Sequence, residues 1–514
     1  MKRFILFIFM LCVVTLTQAQ TYEFNLTATA VKKYQGYSKG STIKIKGLEH
    51  NVSTDPFYSN QTVLKDSYDM LLEDGSKIPL TTRIDKALKF DLRSIDDLWN
   101  AVILQDVIPM LITKGTQVDI RSDAELNALE YVLAIKNNGL EFDDPYLLNY
   151  LYALVSKISP SILIDGRPGG INLIVEDNPD VNAGTYPNGT IVVNTGLLSV
   201  LHTEDELVAV LAHEVAHFVL DHHMQNINAE IQRQRRAEIG AAIATIFAAS
   251  AEGAAAYYSN GYYIPGAVTA ATAIGATAIA KQAVIDLGME YSQKQEFEAD
   301  EYALQVLDFL GYDHHALASA LTRLEEVQLI ERSKAMYFSS TTHPALVERI
   351  EKAGGANLKR DVNFERKISF AITNSAITKY YYRRFREAAK AVSQNIENNV
   401  ATADDYLIKA NCLLALSDTE ASNIEVLELI KKAKKLQPNN INIYKAEILA
   451  NLRLNRAQQA IEELQEYKSY LNETSNELPS ILNQSMWKSR YDFILNEHIW
   501  VDKMLIKLSG MYKQ

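Results

Sequence analysis

The sequence predicts an α+β protein of several domains, and three observations lead to this prediction. Its 514 residues exceed the usual size of one domain and leave room for about three. Apolar and polar residues alternate as in β-strands between Tyr22 and about Phe90. Farther along, apolar residues recur with helical spacing, and beyond Gly354-Gly355 they form successive helix pairs. We therefore expect a small N-terminal β module, a mainly helical central domain with a short β-sheet, and a C-terminal α-helical domain.

Residues 1–19 have the pattern of a secretory signal peptide. Lys2 and Arg3 precede a nearly continuous apolar stretch, and Thr17-Gln18-Ala19 ends it with small residues suited to cleavage. The stretch is short for a membrane span. We therefore predict that the signal peptide is removed near Ala19 and that the mature chain is exported.

Composition limits the partners and the sources of stability. The formal net charge of −12 argues against nucleic acid as a partner, because the phosphate backbone binds basic surfaces. Of the two cysteines, only Cys412 lies outside the predicted signal peptide. No disulfide within the mature chain is then possible, so its stability must come from apolar cores.

The region before the central domain is predicted in two parts. Residues 20–92 form the β module, for which an SH3-like barrel is one candidate form, with Glu73-Asp74-Gly75-Ser76 as a turn between strands. Residues 93–124 are predicted as a helical connector. The role of the β module is left open by the sequence.

Residues 239–284 are rich in Ala, Gly and Ile and resemble a membrane span at first sight. Glu252, the Asn260-Gly261 turn and Pro265 interrupt them, so neither half supplies the roughly 20 uninterrupted apolar residues of a span. A close-packed helical hairpin is the expected structure. A lid, or peripheral contact with a membrane surface, remains an alternative.

Residues 365–514 are predicted as a helical, tetratricopeptide-like domain. Predicted helices lie at 388–396, 403–416, 424–436, 441–454 and 457–471. The ending Leu436-Gln437-Pro438-Asn439-Asn440 is common in tetratricopeptide units, although Tyr406 and Tyr444 lie farther apart than one usual repeat. The domain either caps the central domain or offers a docking surface for peptides and proteins.

The segment His213-Glu214-Val215-Ala216-His217 carries the strongest functional signal. It lies in an apolar-periodic run, residues 205–223, that predicts a single helix. Residues four apart share a helix face, so both imidazoles can bind one metal ion. Glu214 lies at the edge of that face, where its carboxylate can reach a water activated by the metal. This pattern is typical of a zinc hydrolase.

A catalytic zinc ion usually has three protein ligands, so a third must come from elsewhere. His223 is one candidate, but the pattern that uses it needs glycine at position 220, where this chain has Leu220. Glu296 is favoured, because Glu296 and Asp300 share a face of a second predicted helix. Asp300 could then accept the free ring N–H of a ligating histidine. Glu298 is the alternative if that helix is rotated.

Further motifs extend the pattern. The segments that follow or precede the metal-binding helix are Asn182-Ala183, residues 189–198, Glu296-Phe297-Glu298-Ala299-Asp300, Ser340-Thr341-Thr342-His343-Pro344 and Glu348-Arg349-Ile350. Together they resemble the zinc endopeptidases of the HtpX and CAAX prenyl protease type over about residues 125–352. The resemblance implies a gluzincin peptidase domain at 125–355 with Zn²⁺ as cofactor.

Roles for single residues follow from the same resemblance. It implies His213, His217 and Glu296 as zinc ligands, Glu214 as general base, and Asp300 as the partner of a ligand. The oxyanion needs a further donor, for which Arg349, His343 and Tyr291 are candidates. His343 is either a turn residue before Pro344 or a group that closes the open metal position. Residues 181–186 are either an ordinary edge strand or the site where an extended peptide is added.

A zinc peptidase with helical repeats resembles the periplasmic branch of this family, which is linked to outer-membrane protein assembly. We therefore expect a periplasmic endopeptidase whose substrates are unfolded or misassembled envelope proteins. The alternative is a latent peptidase that acts mainly as a chaperone or scaffold through residues 365–514. A metzincin that uses His223 and an integral-membrane peptidase are disfavoured by Leu220 and by the interrupted apolar segments.

Overall fold

The computed structural model describes residues 16–54, 63–80, 84, 86–108, 118–161, 171–227, 229, 291–332, 346–438, 440–477 and 484–511. These residues fall into two compact units. The first lies within Met1–Glu176, Ala183–Val193 and Asp205–Leu358, and the second within Asp177–Asn182, Asn194–Glu204 and Lys359–Gln514. A β-sheet begins the first unit and helices make up most of the second, so the α+β class is confirmed.

Five antiparallel strands form a curled sheet at the start of the first unit. They are β1 (Leu16–Ala30), β2 (Thr42–Thr54), β3 (Val63–Leu72), β4 (Lys77–Pro79) and β5 (Leu88–Asp91), in the order β4-β3-β2-β1-β5. Alternate side chains of β1 from Tyr22 onward are buried, as the period-two pattern predicts. The register of β1 and β2 shifts near Gly47, where a Cβ would lie 2.2 Å from the backbone oxygen of Tyr22. Only glycine permits this close approach.

The predicted turn at residues 73–76 joins β3 to β4. Of the predicted signal peptide, residues 16–19 begin β1, and residues 1–15 lie outside the described residues. Cleavage near Ala19 and an SH3-like form of the β module both stay predictions.

The helical part of the first unit starts with α1 (Ile95–Val102). Its N-cap, Ser94, accepts a hydrogen bond from the backbone N–H of Asp97 at 3.1 Å, and a π-helical turn, Ile103–Val107, continues it. Next come α2 (Val118–Asn137) and α3 (Pro145–Ile158). Helix α2 runs without a break through residues 124 and 125, where the predicted connector meets the predicted peptidase domain.

A three-stranded sheet precedes the helix that carries His213 and His217. Its strands are β6 (Asn172–Glu176), β7 (Ala183–Thr185) and β8 (Thr190–Asn194), and the order β6-β8-β7 leaves β7 at an edge. The segment predicted to accept a peptide is therefore an edge strand, although all three residues of β7 are buried. The chain continues with α4 (Thr195–Leu198), α5 (Glu204–Val219), α6 (Gln293–Leu310), α7 (Ala316–Arg332) and α8 (Leu346–Lys352).

Residues 239–284, with their predicted helical hairpin, lie outside the described residues. Among the helices that the structure does describe, none has both the length and the hydropathy required to cross a bilayer.

Helices dominate the second unit. They are α9 (Val362–Lys367), α10 (Ser369–Tyr381), α11 (Phe385–Glu397), α12 (Ala403–Leu416), α13 (Glu420–Leu436), α14 (Asn442–Arg453), α15 (Ala457–Glu477) and α16 (Gln484–Met511). One apolar cluster joins α12, α13 and α14, and a second joins α14, α15 and α16. The helices predicted between residues 403 and 471 are confirmed as α12 to α15. Their tetratricopeptide character stays a prediction.

Candidate metal centre

Both histidines of the motif lie in the second half of α5, a helix that is buried along almost its whole length. The first turn of α5 is fixed by two carboxylates. Asp205 accepts a hydrogen bond from the backbone N–H of Asp313 at 3.0 Å, and Glu206 pairs with Arg323 at 2.8 Å. The motif residues are no more than 4% exposed. Because buried polar groups cost free energy unless they are paired, their partners define the site.

Helix α6 brings a carboxylate to the same place. A capping box starts it, in which the backbone N–H of Gln295 donates to the hydroxyl of Ser292 and the backbone N–H of Ser292 donates to the side chain of Gln295. This cap fixes where the first turn begins. Glu296 consequently lies in that first turn with its side chain fully buried.

Three side chains direct ligand atoms to one point. The ligand atoms of His213, His217 and Glu296 all lie within 4.8 Å of one another. The two Nε2 atoms are 3.0 Å apart, and carboxylate oxygens of Glu296 lie 3.5 Å and 3.6 Å from them. No other such group occurs in the part of the chain that the structure describes. Two imidazoles and a carboxylate form the ligand set of a catalytic zinc ion, so these residues fit Zn²⁺.

Asp300 and Arg349 support this group from outside. Nδ1 of His213 lies 2.9 Å from Oδ1 of Asp300, so the carboxylate predicted to accept a ring N–H lies in position to do so. Arg349 donates two hydrogen bonds of 2.7 Å to Asp300 and also contacts Glu296. Burial lowers the pKa of His213, but its hydrogen bonds to Asp300 and Glu296 outweigh burial and raise that pKa to about 9. The arrangement holds His213 in one orientation.

The surroundings of Arg349 suggest how it acts. Burial disfavours the charge of Asp300, yet Arg349 and His213 together hold the pKa of that carboxyl below its usual value. Arg349 itself is 2% exposed, with its guanidinium directed at Asp300 and Glu296. Its position between two carboxylates suits an anchoring role, whereas its predicted role as an oxyanion donor stays a prediction.

Glu214 is held by a residue that the sequence did not identify. The hydroxyl of Thr185, in the edge strand β7, lies 2.9 Å from both Oε2 and the backbone oxygen of Glu214. Thr185 is fully buried and Glu214 is 1% exposed. A threonine hydroxyl has one proton to donate, so the carboxylate and the carbonyl share it. The contact ties the predicted general base to the strand predicted to bind substrate.

Tyr291 and His223 lie beside the metal ligands. The ring of Tyr291 stacks on His217 with centroids 3.6 Å apart, and its hydroxyl lies 2.8 Å from Nε2 of His223. Burial, together with the charges of Glu214 and Glu296, raises the pKa of Tyr291 well above its usual value, so the hydroxyl keeps its proton. His223 therefore contacts Tyr291 and lies outside the group formed by His213, His217 and Glu296.

Two further residues lie next to His217. Nδ1 of His222 is 2.8 Å from Nδ1 of His217, and burial lowers the pKa of His222. Glu298, the alternative ligand, lies outside the group, with its carboxylate 3.5 Å from Nε2 of His222 and 3.0 Å from Lys294. His222 was not predicted, because its contact depends on how the chain turns after α5. His343 lies outside the described residues, so its closing role stays a prediction.

Comparison with known proteins agrees with this geometry. Residues 149–356 match Peptidase family M48. The chain is 25% identical to the beta-barrel assembly-enhancing protease of Escherichia coli K12 over 250 residues, which cover 48% of this chain and 46% of that protein. It is also similar to metalloprotease LoiP of Escherichia coli K12 (28% over 188 residues, 37% and 62% of the two chains) and to CAAX prenyl protease 1 homolog of Arabidopsis thaliana (29% over 181 residues, 35% and 40%). The metalloproteases of family M48 are zinc-dependent, which agrees with the ligand set found here. Residues 149–356, which contain this ligand group, thus form a zinc metallopeptidase domain of family M48.

Proposed function

We propose that this protein is a zinc-dependent endopeptidase that hydrolyses peptide bonds of exported proteins. One observation carries the proposal: the ligand atoms of His213, His217 and Glu296 converge in a buried centre while Glu214 lies on the same helix as both histidines. That combination supplies three metal ligands and a separate carboxylate, which is what a metallopeptidase requires.

Each side chain has a distinct task in the proposed reaction. Bound Zn²⁺ supplies Lewis acidity, which lowers the pKa of a water molecule and polarises the substrate carbonyl. Glu214 accepts a proton from the attacking water and delivers it to the leaving amine. Thr185 holds the carboxylate of Glu214 toward the edge strand, so that base and bound peptide keep a fixed distance.

The outer residues keep the ligand group in place. The carboxylate of Asp300, 2.9 Å from Nδ1 of His213, would accept the ring proton and so leave Nε2 of that ring for the metal. Arg349 offsets the negative charges of the buried carboxylates of Asp300 and Glu296. We assign Arg349 to this anchoring and treat donation to the oxyanion as a second task that substrate would have to induce.

The biological role we propose is quality control of envelope proteins in the periplasm. The predicted signal peptide at 1–19 supports export, and one similar protein is a beta-barrel assembly-enhancing protease. The chain spans less than half the length of that protein. The helices of residues 365–514 would bind unfolded or misassembled clients, with zinc as cofactor of the peptidase domain and His343 as the residue that closes the open metal position.

Degradation of casein by the purified chain, followed together with its zinc content, tests the peptidase. Glu214→Gln should abolish cleavage and retain zinc, because Glu214 is not a ligand. Glu301→Gln, which removes the same charge from an exposed position on α6, should change neither. Zinc in both the parent and Glu214→Gln without cleavage in either would contradict the proposal and favour the chaperone or scaffold alternative. A parent chain without zinc would contradict the metal centre itself.

A further inference from the structure

His217 makes a contact that nothing in its motif requires. Its Nε2 faces His213 and Glu296, whereas its Nδ1 lies 2.8 Å from Nδ1 of His222. His222 is fully buried, and its other ring nitrogen, Nε2, lies 3.5 Å from a carboxylate oxygen of Glu298. Glu298 reaches the surface with about a third of its side chain exposed (36%). Three side chains thus connect the metal centre to solvent.

We propose that His222 is a positioning residue for His217, and that Glu298 in turn orients His222. The inference rests on the proposed metal centre. It adds His222 and Glu298 to the site. Neither residue contacts the metal position, but together they fix the orientation of the His217 ring and its lone pair.

The ring protons of His217 and His222 can be assigned in one way that leaves Nε2 of His217 free to bind a metal. For Nε2 of His217 to offer a lone pair to a metal, the ring proton must be on Nδ1. That proton then lies in the 2.8 Å contact with Nδ1 of His222, which must be the unprotonated nitrogen of its own ring to accept it. The proton of His222 is consequently on Nε2, facing the carboxylate of Glu298. Both rings are neutral, and each has one tautomer.

The backbone supports this inference, because an uninterrupted helix could not make the contact. Side chains on an α-helix advance by about 100° per residue, so a residue five positions on points about 140° away. His222 reaches His217 because α5 ends at Val219 and the next residues turn back. Asp221 adopts φ +60, a left-handed conformation that is uncommon outside glycine.

An ion pair holds that turn. The guanidinium of Arg121, on α2, donates to both carboxylate oxygens of Asp221 at 3.1 Å and 2.5 Å, and both side chains are buried. A bidentate pair of this kind fixes the position and the orientation of the carboxylate. The side chain of Gln295 adds a hydrogen bond of 3.3 Å to the backbone oxygen of His222. The unusual backbone is therefore over-determined by its neighbours, which is expected where strain serves a site.

The two metal-binding histidines differ in their outer partner. Nδ1 of His213 lies 2.9 Å from the carboxylate of Asp300, whereas Nδ1 of His217 faces a neutral imidazole, and a carboxylate lies only beyond that ring. The face of the His217 ring is meanwhile covered by Tyr291. Because a carboxylate raises the basicity of a ligand more than a neutral ring does, His217 depends on His222 for orientation rather than for charge.

The rate at which the zinc-loaded full-length protein releases zinc to a chromogenic chelator tests this inference. His222→Phe keeps a planar ring without an acceptor, and should release zinc roughly 10- to 100-fold faster than the parent. His222→Asn places Oδ1 near the former Nδ1, can accept from His217, and should restore most of the retention. His314→Phe, at a half-exposed histidine of the same unit, is the control and should leave release unchanged.

Two further variants keep the test decisive if His222→Phe does not fold. Glu298→Leu removes the outer acceptor at a half-exposed position, and should speed zinc release severalfold, whereas Glu298→Gln retains an oxygen and should resemble the parent. Equal release from a folded His222→Phe, His222→Asn and the parent would overturn the role of His222 while the peptidase proposal stands. Equal release from Glu298→Leu and Glu298→Gln would overturn the role of Glu298. A parent chain that binds no zinc would overturn the metal centre and this inference together.

Discussion

Two buried polar clusters in this protein use their hydrogen bonds in opposite ways. In the second unit, the fully buried carboxylate of Asp405 accepts from the hydroxyl of Thr373 at 2.8 Å and from the amide of Asn395 at 3.0 Å. It also accepts from the backbone N–H and the hydroxyl of Thr402, at 2.7 Å and 3.0 Å. Every one of these donors is a neutral group of the same helical unit. The cluster thus satisfies its carboxylate internally and closes the start of α12.

The metal centre arranges comparable groups around a shared point instead. His213, His217 and Glu296 direct ligand atoms toward one another, while Asp300, His222 and Arg349 hold them from outside. Three ligand atoms within 4.8 Å of one another form an arrangement that suits a metal cation. Both clusters therefore bury polar groups. The candidate metal site differs from the structural network because its ligand atoms converge on one point.

The largest expected effect comes from replacing one carboxylate with an amide in each cluster and comparing zinc content and activity. Glu296→Gln should lose zinc and reduce peptide hydrolysis by roughly 10³-fold or more, because an essential ligand is gone. Asp405→Asn should keep both zinc and activity but lower the stability of the helical unit by about 1–2 kcal/mol. Metal analysis, a peptidase assay and thermal unfolding measure these outcomes. Zinc loss in Asp405→Asn would contradict the distinction.

Replacement of Arg349, the buried guanidinium beside the metal centre, should lower the stability of the zinc-free protein strongly. Arg349→Met leaves Glu296 and Asp300 buried without their counter-ion, which should cost roughly 3–5 kcal/mol in urea unfolding. Excess zinc should recover part of this loss, because binding to the folded state stabilises it. Arg384→Met is the control in the second unit. Arg384 pairs with the exposed Asp180, so its loss should cost about 1 kcal/mol or less, and zinc should not reverse it.

A smaller effect tests the support of the general base. Thr185→Val keeps the shape of the side chain and removes the donor to Glu214, which should lower kcat roughly tenfold, the equivalent of about 1.4 kcal/mol, with zinc content and KM little changed. Thr185→Ser restores the hydroxyl and should restore most of kcat. If Val and Ser variants have the same kcat, the hydroxyl does not position Glu214 and its contact is purely structural.

The last effect concerns pH and belongs to the structural side of the comparison. Burial, reinforced by the nearby Glu447 and Glu466, raises the pKa of Glu463 to about 7. The folded state therefore holds this proton up to a higher pH than the unfolded state does. Its contribution to stability is full below the ordinary pKa of a glutamate and is lost as pH rises through about 7.

Between those pH values the stability of the second unit should fall by at most about 1.4 kcal/mol per pH unit on account of this group. Glu463→Gln should remove that dependence and raise the melting temperature at pH 8 relative to the parent. The neighbouring exposed Glu462→Gln should not. Melting curves recorded from pH 5 to pH 8 make the comparison, and parallel curves for the parent and Glu463→Gln would show that Glu463 titrates normally.

Much of the metal centre could be anticipated from local pattern. The four-residue spacing of His213 and His217 places them on one helix face, and the same spacing relates Glu296 to Asp300. Leu220 argued against His223 as the third ligand, and the structure indeed places His223 against Tyr291. The four helices α12 to α15 could also be located, because apolar periodicity and polar breaks are local signals.

Contacts between elements could not be anticipated in the same way. Thr185 lies in a short strand and belongs to no catalytic motif, and only the packing of β7 against α5 brings it to Glu214. Arg349 follows from the sequence as a candidate, but its partners emerge only when α8 meets α6. Helix α2 runs without a break through residues 124 and 125, where the resemblance to the peptidase family begins, because a sequence resemblance does not mark the end of a helix.

The sequence by itself determined which residues can share a helix face, and hence the candidate ligands, the candidate general base and the order of the helical elements. The tertiary structure decided which partner each ring nitrogen and each carboxylate oxygen meets. The physical reason is that spacing of 3.6 residues per turn is a property of the chain, whereas the surface facing a helix is supplied by distant segments. His222 shows the limit most clearly, since only the left-handed turn at Asp221, held by Arg121, directs it to His217.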